Sequence, residues 1–322
     1  MRWAVAGHGD IVSRRVLPAL RALGEEPVFL WGRDPGRTAS AAARWGVPRS
    51  GTSLRGLLEG TDAVYVATPV DRHVPLASAV LDAGLPVLVE KPLAGALRPG
   101  GAGLAAARAR AGVAYYRRLA PVLAEVRREL AGWTPERIEV RFRYAFDPGP
   151  DDPMRWRTDP TVSGGGVLAD AGSHRLDLLL TLFGPPAEVR ARLGRRFPAG
   201  AERTADLELA WPGGTRAHCL LEWGGGPPVD RLALHGGNRS LVLDPLDSGE
   251  LRVTGPAGEH RVVDAPGHPN PHLPLIADFR AAVRDGRPPV CPVAEAVLVD
   301  DVIVAAERSD ALGGAPVRPG PG

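Results

Sequence analysis

Among the 322 residues there is a single lysine, Lys91 in VLVEKPLA, and every other basic side chain apart from histidine is an arginine. A guanidinium stays protonated at any accessible pH, whereas an ammonium can release its proton when desolvated or set beside another cation. Lys91 is therefore a candidate for proton exchange that arginine cannot perform. A second candidate cluster lies in GGGVLADAGSHRLDLLLTLFG, where Asp170 and His174 stand four residues apart and Asp177 follows. On one α-helix that spacing puts carboxylate and imidazole on the same face. The carboxylate can then orient the ring or favour its protonated form, and the ring can act as general acid or base.

The elements that must hold Lys91 alternate between strand and helix. The apolar run RWAVAG ends in glycines and is followed by Ile11, Val16, Leu17, Leu20 and Leu23 at helical spacing. Strands PVFLWG, DAVYVATP and PVLVEKP follow, separated by helices in TASAAARWG and PLASAVLDAG. Such alternation predicts a parallel sheet with crossover helices. The first turn, GHGDIV, approaches the dinucleotide fingerprint GxGxxG. Gly7 makes the turn, Gly9 lets backbone N–H groups approach a pyrophosphate, Asp10 and Ile11 open the helix, and Val12 replaces the third glycine. Where the second strand ends, an acid would accept from a ribose diol and repel a 2′-phosphate, but the chain has Gly32 and Arg33, with Arg37 one turn beyond. Two guanidiniums there favour NADP(H) over NAD(H); the competing reading gives the acid's task to Asp34.

With these residues in place, the chain resembles the Gfo/Idh/MocA oxidoreductase family. The resemblance rests on a Rossmann pattern whose later strand ends in Glu90-Lys91-Pro92, preceded by DAVYVATPVDRHVPLASAVLDAG, and continues through YYRRLAP, WRTDPTVSGGGVLADAGSHRLDLLLTLFG and FRAAVRDGRPPVCPVAEAVLVDDVIVAAERS. It implies that Lys91, Asp170 and His174 line a cleft between a nicotinamide ring and a sugar or polyol. His174 would be the general acid/base for the substrate oxygen, Lys91 the donor that polarises it, and Asp170 the group that orients substrate or His174. Thr68, Pro69, His73 and Glu90 would join Lys91 at the cofactor. Arg118, Trp156, Arg157 and Asp177 would border the substrate, although Tyr116 stands where the family commonly has asparagine.

The rest of the chain bounds the reading. A formal charge of +2 with no basic stripe gives no footprint for nucleic acid. Cys219 and Cys291 lack CxxC spacing, and His268 and His272 sit in Pro-rich GHPNPH without an arranged carboxylate or thiol, so no metal is expected. No long apolar run suggests a membrane span, and the opening MRWAVAG leaves no room for a signal peptide, so a cytoplasmic protein is expected. Residues 1–118 read as a dinucleotide-binding domain. Residues 119–322 read as an α+β domain with a large, mostly antiparallel open sheet, built from RIEVRFRYAF, ADLELAWP, RAHCLLEW, RLALHGG, SLVLDP and ELRVTG. The helix of Asp170 and His174 would cover one face of that sheet, and the family resemblance offers a partner subunit, in a homodimer or homotetramer, for the other. The functional expectation is hydride transfer between nicotinamide and a secondary alcohol or ketone of a sugar, inositol or related polyol. Two alternatives stand beside it: a redox-neutral lyase or glycosidase holding its cofactor tightly, and a non-catalytic dinucleotide sensor.

Overall fold

Short runs of Val, Ala, Leu and Tyr, buried on both faces, produce the parallel sheet that the alternation predicts. In the computed structural model, which describes residues 1–97 and 101–320, the chain divides into two units. The first comprises Met1–Ala94, residues 101–119 and His268–Val297; the second comprises Gly95–Leu97, Ala120–Gly267 and residues 298–320.

The first unit contains β1 (Arg2–Ala6), β2 (Glu26–Trp31), β3 (Arg49–Gly51), β4 (Ala63–Val66), β5 (Val87–Val89) and β6 (Ala111–Val113). They pair throughout in parallel in the order β3-β2-β1-β4-β5-β6. This is the doubly wound order, whose ligand crevice opens at the carboxyl ends of the strands where the winding reverses, between β1 and β4. Helices α1 (Leu17–Ala22), α2 (Pro35–Trp45), α3 (Leu54–Leu58), α4 (His73–Asp82) and α5 (Gly101–Leu104) belong to it. Two of these strands, β3 and β6, escape the sequence reading because RSG and AGV lack the unbroken apolar run that VLV gives the equally short β5.

The second unit is built on an eight-stranded sheet: β7 (Arg137–Tyr144), β8 (Glu188–Arg196), β9 (Glu202–Ala210), β10 (Arg216–Trp223), β11 (Val229–Gly236), β12 (Arg239–Leu243), β13 (Glu250–Thr254) and β14 (His260–Asp264). The order is β14-β13-β12-β11-β7-β10-β9-β8, antiparallel except for the β7–β10 pair. Ile138, Val140, Leu207, Leu209, Cys219 and Leu221 point to one face and are buried. On the other face Arg143 pairs with Glu222 at 2.9 Å and Arg231 with Glu139 at 3.4 Å. Helices α6 (Pro121–Leu130), α7 (Pro160–Ser163) and α8 (Ser173–Phe183) belong to this unit. Gly172 lets the start of α8 lie against β10, since a Cβ there would meet Leu221 at 2.6 Å.

One boundary expectation is corrected. The segment His268–Val297, read as part of the second domain, packs in the first unit. It carries α9 (His272–Asp285) and the start of α10 (Val293–Ala311). Leu275, Ile276, Phe279 and Ala282 form a buried stripe at helical spacing on α9, and the Phe279 ring lies 6.0 Å from that of Trp3 in β1. Burying the Phe279 side chain stabilises the unit by about 1.5–3 kcal/mol. Arg280 adds an ion pair to Glu25 at 2.9 Å.

Candidate active site

Beyond β1, Gly7 adopts φ 110°, and a Cβ there would lie 2.2 Å from the carbonyl oxygen of Ala67, just past β4. Only glycine permits the two loops at the sheet's switch point to approach so closely. A Cβ on Gly9 would meet nothing within 4 Å. The chain enters α1 through a π-turn, Val12–Val16, which accommodates the fully buried Val12 where the fingerprint has its third glycine. Asp10 is exposed and paired with Arg14 at 3.3 Å, and Ile11 is half-buried beside it. The Thr68 hydroxyl is buried without a hydrogen-bond partner among the described residues. A glycine cradle, open space over Gly9 and an orphaned hydroxyl fit a dinucleotide pyrophosphate and its ribose.

At the end of β2, Gly32 is buried, and a Cβ there would lie 2.2 Å from Thr38 Oγ1 and 2.7 Å from His8 Cδ2. Arg33 and Arg37 are exposed. Asp34 caps α2, its Oδ1 accepting from the Arg37 amide at 2.8 Å. That oxygen is engaged by the helix.

Lys91 follows β5 and is half-buried. The residue before it, Glu90, is turned inward: its Oε1 accepts from the Tyr65 hydroxyl at 2.7 Å and from His272 Nε2 at 3.0 Å, and its Oε2 from the Lys91 amide at 3.3 Å. Glu90, expected at the cofactor, has a side chain 12% exposed whose carboxylate serves the turn. His73 is also turned inward. Expected beside a ribose, it is 1% exposed, with Nδ1 facing the Pro92 carbonyl and Nε2 the Thr68 carbonyl, each at 2.8 Å. It ties the loop after β4, with Thr68 and Pro69, to the residue that follows Lys91. Burial pushes the His73 imidazole below its ordinary value, with the two carbonyls pulling the other way. Arg118, expected at the substrate, is buried with Nη1 on Glu295 and the Val290 carbonyl, both in the first unit.

Burial works against the Glu90 carboxylate, but the hydrogen bond and charge of His272, the Tyr65 hydroxyl and Lys91 outweigh it and hold Glu90 below its ordinary value of 4.5. A depressed carboxyl stabilises the fold fully above its unfolded value, and that contribution is lost as pH falls through the folded value. Wild type should therefore lose stability on acidification below 4.5 more steeply than Glu90→Gln. Acid titrations of both followed by circular dichroism check this, and superimposable curves would contradict it.

In the second unit, glycines shape the approach to α8. Gly164 (φ 73°) ends α7, Gly165 has φ 136°, and a Cβ on Gly166 would lie 2.0 Å from the Glu202 carbonyl oxygen. The buried Glu202 carboxylate accepts from the Gly166 amide at 2.7 Å and the Leu168 amide at 3.0 Å, capping the segment, while burial raises its pKa. The sequence reading expects one continuous α-helix carrying Asp170 and His174. Instead a π-turn, Leu168–Gly172, holds Asp170, and α8 begins at Ser173. The wider turn replaces the simple i, i+4 register, and such bulges often mark functional sites. Asp170 Oδ2 accepts from Arg157 Nη1 at 2.9 Å, and Arg157 in turn lies 5.6 Å from the Trp156 ring centre. Arg157 thus orients Asp170. His174 is 7% exposed and Asp177 fully buried in the first turns of α8. Among the described residues no group of three metal-ligating side chains forms, and no helix is long and apolar enough to cross a membrane.

The first unit's sheet order, glycine turn and orphaned hydroxyl define a dinucleotide-binding Rossmann domain, followed by a mostly antiparallel α+β unit. Residues 1–116 match the profile described as oxidoreductase family, NAD-binding Rossmann fold, and residues 134–242 that of the GFO/IDH/MocA C-terminal domain. The chain belongs to the GFO/IDH/MocA oxidoreductase family. It is 30% identical to the dTDP-3,4-didehydro-2,6-dideoxy-alpha-D-glucose 3-reductase of Streptomyces violaceoruber, over 88% of this chain and 85% of that one. It is 34% identical to the 1,5-anhydro-D-fructose reductase of Ensifer adhaerens over 59% of this chain, an alignment that spans 59% of that reductase. The crystal structure of an oxidoreductase domain protein from Kribbella flavida has the same fold, with TM-score 0.87 at 24% identity and 99% of both chains covered.

Proposed function

We propose that the chain is an NAD(P)-dependent oxidoreductase that moves a hydride between the nicotinamide and a secondary alcohol or ketone of a sugar or related cyclic polyol. The carrying observation is the setting of Lys91. The chain's single lysine stands at the carboxyl end of β5, with its amide on a buried carboxylate and the next carbonyl held by His73. In a doubly wound sheet that edge is where ligands bind. The nicotinamide supplies or accepts the hydride when bound. Lys91 donates a hydrogen bond to the reacting oxygen, His174 takes or gives its proton, and Asp170, steadied by Arg157, orients substrate or ring. The residue types and the family resemblance support these roles.

The named relatives act on a dTDP-linked ketosugar and on an anhydro-ketosugar, so ketosugars, free and nucleotide-linked, come first in a substrate panel, followed by inositols. Consumption of reduced nicotinamide with one of them supports the proposal. Product formed without net absorbance change would favour redox-neutral elimination, and tight dinucleotide binding with no turnover across the panel would favour a sensor.

NADP(H) is the proposed cofactor. Arg33 and Arg37 are exposed beside Gly32, and the engagement of Asp34 as a helix cap weakens the reading that it receives a ribose diol. Each charge-assisted contact to a 2′-phosphate contributes about 1.5–3 kcal/mol, so NADPH should bind at least about tenfold tighter than NADH. Arg33→Ala with Arg37→Ala should abolish that difference. Titrations of both dinucleotides check it, and tighter NADH binding by wild type contradicts it. We also propose assembly as a homodimer or homotetramer, which light scattering on the eluting species reads directly.

A further inference from the structure

We propose that His272 is a positioning residue for Lys91, acting through Glu90. The inference rests on the role given to Lys91 above and adds a residue outside both motifs. Three observations carry it.

His272 is 2% exposed, and its Nε2–H donates to Glu90 Oε1 at 3.0 Å. Its Nδ1 is buried without a partner among the described residues, so that one carboxylate oxygen is the polar partner of the ring. An unsatisfied buried nitrogen costs about 1–3 kcal/mol, which a leucine or phenylalanine at the head of α9 would avoid. The imidazole is explained by what it does to Glu90.

Glu90 has one oxygen fixed by two donors, Tyr65 and His272, and offers the other to the Lys91 amide at 3.3 Å. A carboxylate gripped on one oxygen cannot rotate, so the position of the second oxygen, and of the amide it receives, is set by the grip. Tyr65 comes from β4 and His272 from α9, whereas Glu90 and Lys91 follow β5. The turn is therefore referenced to three elements of the first unit. The Tyr116 ring, 5.4 Å from that of His272, packs against the same imidazole. A side chain whose ammonium must meet a reacting oxygen gains from such bracing, because a misplacement of about 1 Å can cost on the order of 100-fold in rate.

The test compares His272→Gln, whose amide can still donate to Glu90, with His272→Phe, which cannot, and uses Glu90→Gln as a second probe should the phenylalanine variant not fold. Because Lys91 is the only lysine in the chain, protein labelled with [ε-13C]lysine gives one lysine resonance, which reports the setting of the amine without cofactor or substrate. His272→Phe and Glu90→Gln should shift or broaden that resonance and lower kcat by about 10- to 100-fold, with the KM for dinucleotide within about twofold of wild type. His272→Gln should restore both signals to near the wild-type values. An unmoved resonance together with kcat within about twofold in His272→Phe, or in Glu90→Gln if the former is unfolded, overturns the proposal. If Lys91→Ala itself keeps turnover, the lysine's assigned role fails, and the resonance still decides the bracing.

Discussion

Lys91→Arg is expected to fold, to bind dinucleotide within about threefold of wild type, and to lose about 100-fold or more of kcat. The positive charge survives the change, so any part of Lys91 that is simple electrostatic attraction survives with it. What disappears is an amine able to exchange a proton, and a compact three-donor head on a flexible stem is replaced by a planar fork. The local frame makes the substitution a clean one. Glu90 Oε2 receives the main-chain amide of residue 91, and His73 holds the carbonyl of Pro92, so neither contact depends on the side chain. A loss of 100-fold corresponds to about 2.7 kcal/mol of transition-state stabilisation. Steady-state kinetics with the best substrate of the panel, beside a dinucleotide titration, give the answer, and turnover within about threefold of wild type would remove Lys91 from the chemistry.

His174→Asn should cost as much or more, about 100- to 10,000-fold, because the amide can hydrogen-bond the substrate oxygen but cannot move its proton. His174 lies in the first turn of α8, 7% exposed, in a helix start fixed by the Glu202 cap and by the close approach of Gly172 to Leu221. Asparagine is smaller and polar, so the fold should tolerate it. If the imidazole acts in the transition state, kcat and kcat/KM fall together. A rise in KM at constant kcat would instead make His174 a binding residue.

Much of this was legible in the chain. The alternation of apolar runs with helical spacing gave the parallel sheet, and the alternation in RIEVRFRY and RAHCLLEW gave strands β7 and β10, because a period of two is a local signal. Strand β8 carried the same signal, with Val189 and Ala191 inward and Arg190 and Arg192 outward, but its many arginines hid it. Near the C-terminus Val317 makes an isolated antiparallel bridge to Val189 of β8.

The misses at the site have a common cause. The π-turn at Asp170 depends on the Glu202 carboxylate reaching the Gly166 and Leu168 amides from 34 or more residues away. The bracing of Glu90 depends on His272, 182 positions along the chain. No local period encodes a partner at that distance. Local spacing offers His272 only as a partner of His268, and His268 is exposed, its Nδ1 engaged by Asn270. The return of α9 to the first unit follows from the contact of Phe279 with Trp3, again remote in sequence.

The proposed function assigns Lys91 and His174 to one proton transfer. A double-mutant cycle on kcat, with Lys91→Met, His174→Asn and the pair, tests it most directly. Groups that act as a unit lose little more together than the worse of them loses alone, so the double variant should fall within about threefold of the slower single one. Losses that multiply in the pair would mean independent roles and contradict the account.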